Sequence, residues 1–236
     1  MGKRVGWLLL AGICLGCSML HGLPVDRQAP ENDPESQQNT PSAPVEDSLR
    51  LAAACLESGD DGGALPHLQA YLAAHPDHAV IRAHLGELLL RLHKRSEARQ
   101  EFEHYLLDAA NQGDLTCRHV IHCHSRLAEI ARDEHNAYEE RLHRGIGLYL
   151  LARQVSGPAA KDDDPDPEQL LFKAIRQLEQ AVKERPKEAR PHWYLYLAWS
   201  HLGQMHPARE HLQKACQFSE PADLPADEFV ALQAAR

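Results

Sequence analysis

Among the 236 residues of this chain, the types best suited to chemistry are sixteen histidines and six cysteines. They crowd together once, at Cys117, His119, His122, Cys123 and His124. On a helix, His119 shares a side with His122 and Cys123 at i+3 and i+4, a set of soft ligands of the kind that holds zinc or copper. The paired-cysteine and His-Glu spacings of a specific site are missing, and His75, His78 and His192 show that histidine is simply common here. The expectation is therefore ordinary core and surface histidines and no metal, with His119, His122 and Cys123 as the alternative ligand set. Without a CxxCH the chain cannot attach haem covalently.

Asp162, Asp163, Asp164 and Asp166 form the second suggestive run. A calcium loop needs alternating ligands, a turn glycine and a closing glutamate, and Pro165 and Pro167 interrupt any such order. A solvated loop is the simpler reading. There is no nucleophile elbow, phosphate-binding loop or HExxH zinc motif. No catalytic residue, cofactor or small-molecule substrate is expected, and the chain reads as a non-enzyme.

The elements that would position these groups are helices. Aromatics make up 6% of the chain, whereas Leu and Ala dominate its apolar set, which lose least on entering a helix. An all-α fold follows. The 25 basic residues face 34 acidic ones, a formal charge of -9 that repels a phosphate backbone and disfavours nucleic acid.

The first twenty residues read as an address. Lys3 and Arg4 precede an apolar run from Val5 to Leu15, too short to span a bilayer comfortably. Gly16 before Cys17 resembles the lipobox of bacterial lipoproteins, although Cys14 and Leu15 depart from that pattern. The resemblance implies lipidation at Cys17 and a membrane-anchored lipoprotein of the bacterial envelope facing the periplasm; an uncleaved anchor or plain secretion are the alternatives. Residues 21–44 are rich in Pro, Glu, Gln, Ser and Asn and poor in large apolar side chains. They cannot bury enough surface to order themselves, and as a coil they would reach roughly 25 to 30 Å.

From residue 45 a repeat begins. Leu51, Ala52, Ala64, Leu68 and Tyr71 recur 34 residues later as Leu85, Gly86, Ala98, Phe102 and Tyr105. Ala174, Leu178 and Ala181 recur at the same interval as Ala208, Leu212 and Ala215. Small residues at Ala52/Gly86 and at Ala64/Ala98 let two helices approach closely, and the larger ones fill the groove between units. Gly59 and Gly203 fall where the turn needs positive φ, and Pro76 and Pro186 stop the second helix of their units. Cys55 takes an inner repeat position and is expected as a buried thiol. This spacing resembles the tetratricopeptide repeat, which implies an α-solenoid of helix-turn-helix units. Two units occupy 45–112, and a third with a capping helix occupies 189–236.

The segment 113–188 divides less cleanly. Helices are expected at about 115–132, 137–154 and 168–184, with an insertion over 155–167, so three helices fill the space of four. One arrangement has Gly147 and Leu150 opening a unit completed after the insertion, leaving 115–132 unpaired; the other is two repeat blocks joined by an irregular one.

In tetratricopeptide proteins the first helix of each unit lines a groove that takes a peptide or helix of a partner. The resemblance places Leu49, Ala53, Leu56 and Glu57 there in the first unit, Ala83, Glu87, Leu90 and Arg91 in the second, and Arg190, Trp193, Leu197 and His201 in the last. Trp193, Tyr194, Tyr196 and Trp199 point in several directions, so they are either binding hot spots or covered by the capping helix. The expected function is a protein-protein scaffold in the envelope, its partner another envelope protein or peptide. The alternatives are a metal-binding envelope protein and a spacer without a specific ligand.

Overall fold

A computed structural model of the chain describes residues 43–112, 118–157, 163–219 and 224–236. The leader, Cys17, the linker up to residue 42, Cys117 and Asp162 lie outside these residues, and the last two linker positions open the first helix. Among the described residues ten helices run in order: α1 (Ala43–Ser58), α2 (Asp61–Ala74), α3 (Ala79–Arg91), α4 (Arg95–Gln112), α5 (Arg118–Asp133), α6 (Ala137–Val155), α7 (Pro167–Glu184), α8 (Ala189–His201), α9 (Met205–Phe218) and α10 (Ala226–Ala235). No strand occurs among the described residues. The fold is an α-solenoid of helix-turn-helix units.

Four of the connections are one motif used four times. Gly59, His93, His135 and Gly203 take φ of 79°, 60°, 58° and 71°. In each, the following N–H donates back across the turn: Asp60 to Cys55 O (2.8 Å), Lys94 to Leu89 O (2.9 Å), Asn136 to Ala131 O (2.8 Å) and Gln204 to Trp199 O (2.9 Å). This bond satisfies a carbonyl that the helix end would otherwise orphan. The two glycines match the sequence expectation, while the two histidines accept a left-handed backbone that costs a residue with a Cβ. Asp60 and Asn136 then cap α2 and α6, accepting from the N–H of Gly63 (2.8 Å) and Glu139 (3.3 Å).

Within the first two units the small residues do what their spacing implies. Ala52, Ala64, Ala98 and Phe102 are fully buried. A Cβ on Gly86 would stand 2.7 Å from the Phe102 ring, so that glycine is what lets α3 and α4 close on each other. Pro76 and Pro186 stand two residues past the ends of α2 and α7.

The middle resolves differently from the arrangement with Gly147 and Leu150 at the head of a unit. α5 is not unpaired: it joins α6 through the His135 turn, as α3 joins α4 and α8 joins α9. The helix without a leading partner is α7, because the described residues between Val155 and Pro167 hold no helix. Its Ala174, Leu178 and Ala181 are buried, as the repeat requires, but they press on α6. The close approach is made by Gly145, where a Cβ would fall 2.6 Å from Leu178 Cγ. α6 thus packs against α5, α7 and α8. Its buried residues Tyr138, Ile146, His143, Gly147, Val155 and Ala152 lie nearly all round its axis, as in a helix enclosed by neighbours. α10 closes the array by packing on α9 and α4.

Candidate protein-binding surface

On the first two units, Leu49, Leu56 and Leu90 are half-buried and Glu57 is exposed. Arg91 reaches from the end of α3 to the start of α2, donating from Nε and Nη2 to Asp61 at 2.7 and 2.8 Å. That hydrogen bond, more than the charge alone, holds the Asp61 carboxyl below its ordinary range. Glu87 links α3 to α5: it accepts from Arg126 Nε at 2.7 Å and meets His122 Nε2 at 2.8 Å. Burial opposes its ionisation, but the bonds to His122 and Arg126 outweigh that and keep its carboxyl low. These residues make a half-apolar surface with fixed charges.

The candidate metal ligands do not converge. Cys123 is 0% exposed in the core, His122 is held on Glu87, and His119 is exposed with its ring 6.5 Å from those of His84 and Tyr105. The adjacent positions of His122 and Cys123 point about 100° apart on a helix, so burying one turns the other away. No group of three metal-ligating side chains forms among the described residues. Cys55 is half-buried.

In the last unit the expected groove residues scatter. His201 is exposed, whereas Trp193 is 5% exposed and stacks beside Tyr196 with ring centres 5.3 Å apart. Tyr194 is buried edge-on to Tyr149 of α6 at 5.7 Å, and Tyr196 and Trp199 are half-buried. Arg190 of α8 is engaged by α10: its Nε and Nη2 donate to the Glu228 carboxylate at 3.0 and 2.8 Å, and the Tyr194 hydroxyl donates to the same group at 2.9 Å. Burial works against the Arg190 charge, and Glu228 more than restores it. The capping helix thus covers this end of the surface. Beside the Arg190–Glu228 pair lies a cavity of about 370 Å³ bounded by α4, α5, α6, α8 and α10.

Residues 56–115, the end of α1 to just beyond α4, match the sequence profile of the tetratricopeptide repeat. Residues 56–115 thus carry the signature of the tetratricopeptide repeat. Among solved structures the chain is similar to one described as the crystal structure of MamA protein, at 15% identity over 75% of this chain and 92% of that one, with a TM-score of 0.37. It is likewise similar to MamA 41-end from Desulfovibrio magneticus RS-1, at 16% identity over 77% and 98% of the two chains, with a TM-score of 0.37. No curated protein matches it by sequence.

The later helices also contain two histidine pairs, one buried and one partly buried, that composition alone does not single out. His124 and His143 join α5 to α6 with Nδ1 atoms 2.9 Å apart, and His192 and His211 join α8 to α9 at the same 2.9 Å. Both members of the second pair lie 68 residues beyond those of the first, two periods of 34, which is the signal that would have found them. Desolvation, reinforced by Arg190 and Arg99, pushes His143 down to about 3. Desolvation and the His192 ring push His211 down to about 4. These pairs are neutral cross-struts between the helices of a unit.

Proposed function

We propose that the protein is a non-catalytic scaffold that holds a segment of another protein against the first helices of its first two units. The observation that carries this reading is that Leu49, Leu56 and Leu90, on the first helices of the two units, are half-exposed and share those helices with Glu57, Glu87 and Arg91. They lie largely within the stretch that matches the tetratricopeptide profile. Apolar anchors ringed by oriented charges suit the recognition of an amphipathic segment. No reaction is assigned to the chain.

The setting we propose is the bacterial envelope, with the chain tethered by lipid at Cys17 through the linker 21–44. The basic start, the short apolar run and the Gly16-Cys17 pair support that reading.

Both parts are tested on the full-length chain. A photoreactive side chain at Leu90 should crosslink one envelope protein that Leu56→Asp removes and that Met205→Asp, on α9, leaves in place. A crosslinking pattern unchanged by Leu56→Asp overturns the groove and favours a spacer. For the anchor, an alkyne-bearing fatty acid fed to the bacterial host should label the protein and fail to label Cys17→Ser; equal labelling of the two, or of neither, removes the lipid.

A further inference from the structure

The contact between α10 and the last unit is built like a recognition site. Glu228 places its carboxylate between Arg190 and the Tyr194 hydroxyl, with three of its contacts at 3.0 Å or shorter. One turn on, Leu232 is fully buried, and Leu224 before the helix is nearly so. A carboxylate followed four residues later by an apolar anchor is the pattern of an amphipathic helix lying in a groove.

Three features separate this helix from a permanent cap. It is ten residues long, below the length at which a helix is stable by itself, and its far side is open, with Val230 67% exposed. Its central anchor is an ion pair. Burying such a pair gains little over apolar packing, and both partners regain full hydration when the helix leaves. The groove is also left partly empty: the cavity of about 370 Å³ runs beside α10, between Leu107 and Ala110 of α4, Val120 of α5, Leu150 of α6, and Pro225 and Asp227 ahead of the pair. Oδ1 of Asp227 is shut off from solvent there with no hydrogen-bond partner among the described residues. An orphaned carboxylate oxygen beside an unfilled, largely carbon-lined space marks a poor fit.

We infer that the groove between α4 and α8 is a second docking site, occupied in the resting chain by its own α10, and that its proper ligand is a short partner helix with a carboxylate for Arg190 and a bulky apolar side chain for the cavity. The ligand carries its acid at the Glu228 place, an aliphatic residue four positions later, and an aromatic where α10 has Asp227. Because α10 is tethered next to the groove, it competes at high effective concentration, and a partner must fit better to displace it. This site goes beyond the surface on the first two units.

The test uses the full-length chain and fluorescein-labelled peptides of residues 224–236. A peptide carrying Asp227→Trp should bind the Glu228→Gln chain at least tenfold more tightly than the wild-type chain, by anisotropy, because the tethered competitor has lost its anchor. The same peptide with Glu228→Gln added should lose at least tenfold, as should binding to a chain carrying both Arg190→Met and Glu228→Gln. Equal binding to the wild-type and Glu228→Gln chains, indifference to the peptide's own glutamate, or no binding at all overturns the site. Should Glu228→Gln lower the thermal midpoint, Tyr194→Phe, which deletes one hydroxyl, serves as the weakened chain. Independently, hydrogen exchange on the wild-type chain should find α10 amides opening at least tenfold faster than those of α9. Equal rates would make α10 a fixed cap. Crosslinking from Leu90 reads the first two units and these peptides read α8 to α10, so either proposal can fail while the other stands.

Discussion

The first two units and the block from α5 to α9 use one turn and one period, yet they are held by different forces. In α1 to α4 the helices meet through small and aromatic residues, with Gly86 against Phe102 and with Ala52, Ala64 and Ala98 wholly buried. From α5 onward, histidine pairs span the helices and a buried arginine holds a glutamate. Apolar contacts are indifferent to pH and histidine pairs are not, so the second region adds an acid sensitivity of its own to that of the Asp61 and Glu87 carboxylates in the first.

The sharpest way to probe the apolar region is Phe102→Ala. It should cost about 3–5 kcal/mol in urea unfolding, because a fully buried ring leaves a void that α3 and α4 cannot close. A loss under about 1 kcal/mol would mean that these units relax freely. Within the second region, Gly145→Ala forces a Cβ to 2.6 Å from Leu178 Cγ and should cost about 1–3 kcal/mol. Adding Leu178→Ala should recover part of that loss, and absence of any recovery would place the strain elsewhere.

The polar region should answer to acid. The unfolded histidine takes up its proton near pH 6.5, whereas folded His143 resists protonation down to about 3 and His211 down to about 4. The stability they contribute is therefore whole above about pH 6.5 and drains away as pH falls toward those folded values. For His143 alone the loss between pH 6.5 and 5 is about 2 kcal/mol. Urea midpoints of the wild-type chain should fall across this range, and those of His143→Asn should fall less. Identical slopes would erase the distinction between the two regions. The smallest effect is expected from Arg91→Ala, whose pair with Asp61 is partly exposed: under about 1 kcal/mol, shrinking further in high salt.

The turns and the odd helix mark how far the sequence could be read. Helix content, the 34-residue period, the first two units and the last were legible, because Ala52, Ala64 and their repeats are small for reasons that do not depend on distant partners, although Leu51 is 44% exposed and fills no groove. The pairing of α5 with α6 was hidden: where other second helices place Ala64, Ala98 and Ala208, α6 has Glu140, and where they place Leu68, Phe102 and Leu212 it has Arg144. Those two side chains pair with each other at 3.1 Å while α6 turns its apolar residues toward other neighbours. The left-handed turns at His93 and His135 were missed because such backbone favours glycine. As for the surface, Leu49, Leu56 and Leu90 are half-buried and Glu57 is exposed, whereas Trp193 is buried and Arg190 is taken up by Glu228, which stands 38 residues away and follows no period.

The double use of α6 alters how the array should melt. In a linear chain of repeats each unit has its own intrinsic stability and a separate coupling to its neighbour, and the ends fray first. A helix that is at once the second member of one pair and the support of the odd helix α7 contributes to both quantities together. The array then has no weak joint at its centre, and α5 to α8 should lose structure in a single step, behaving as one large domain set within a string of small ones.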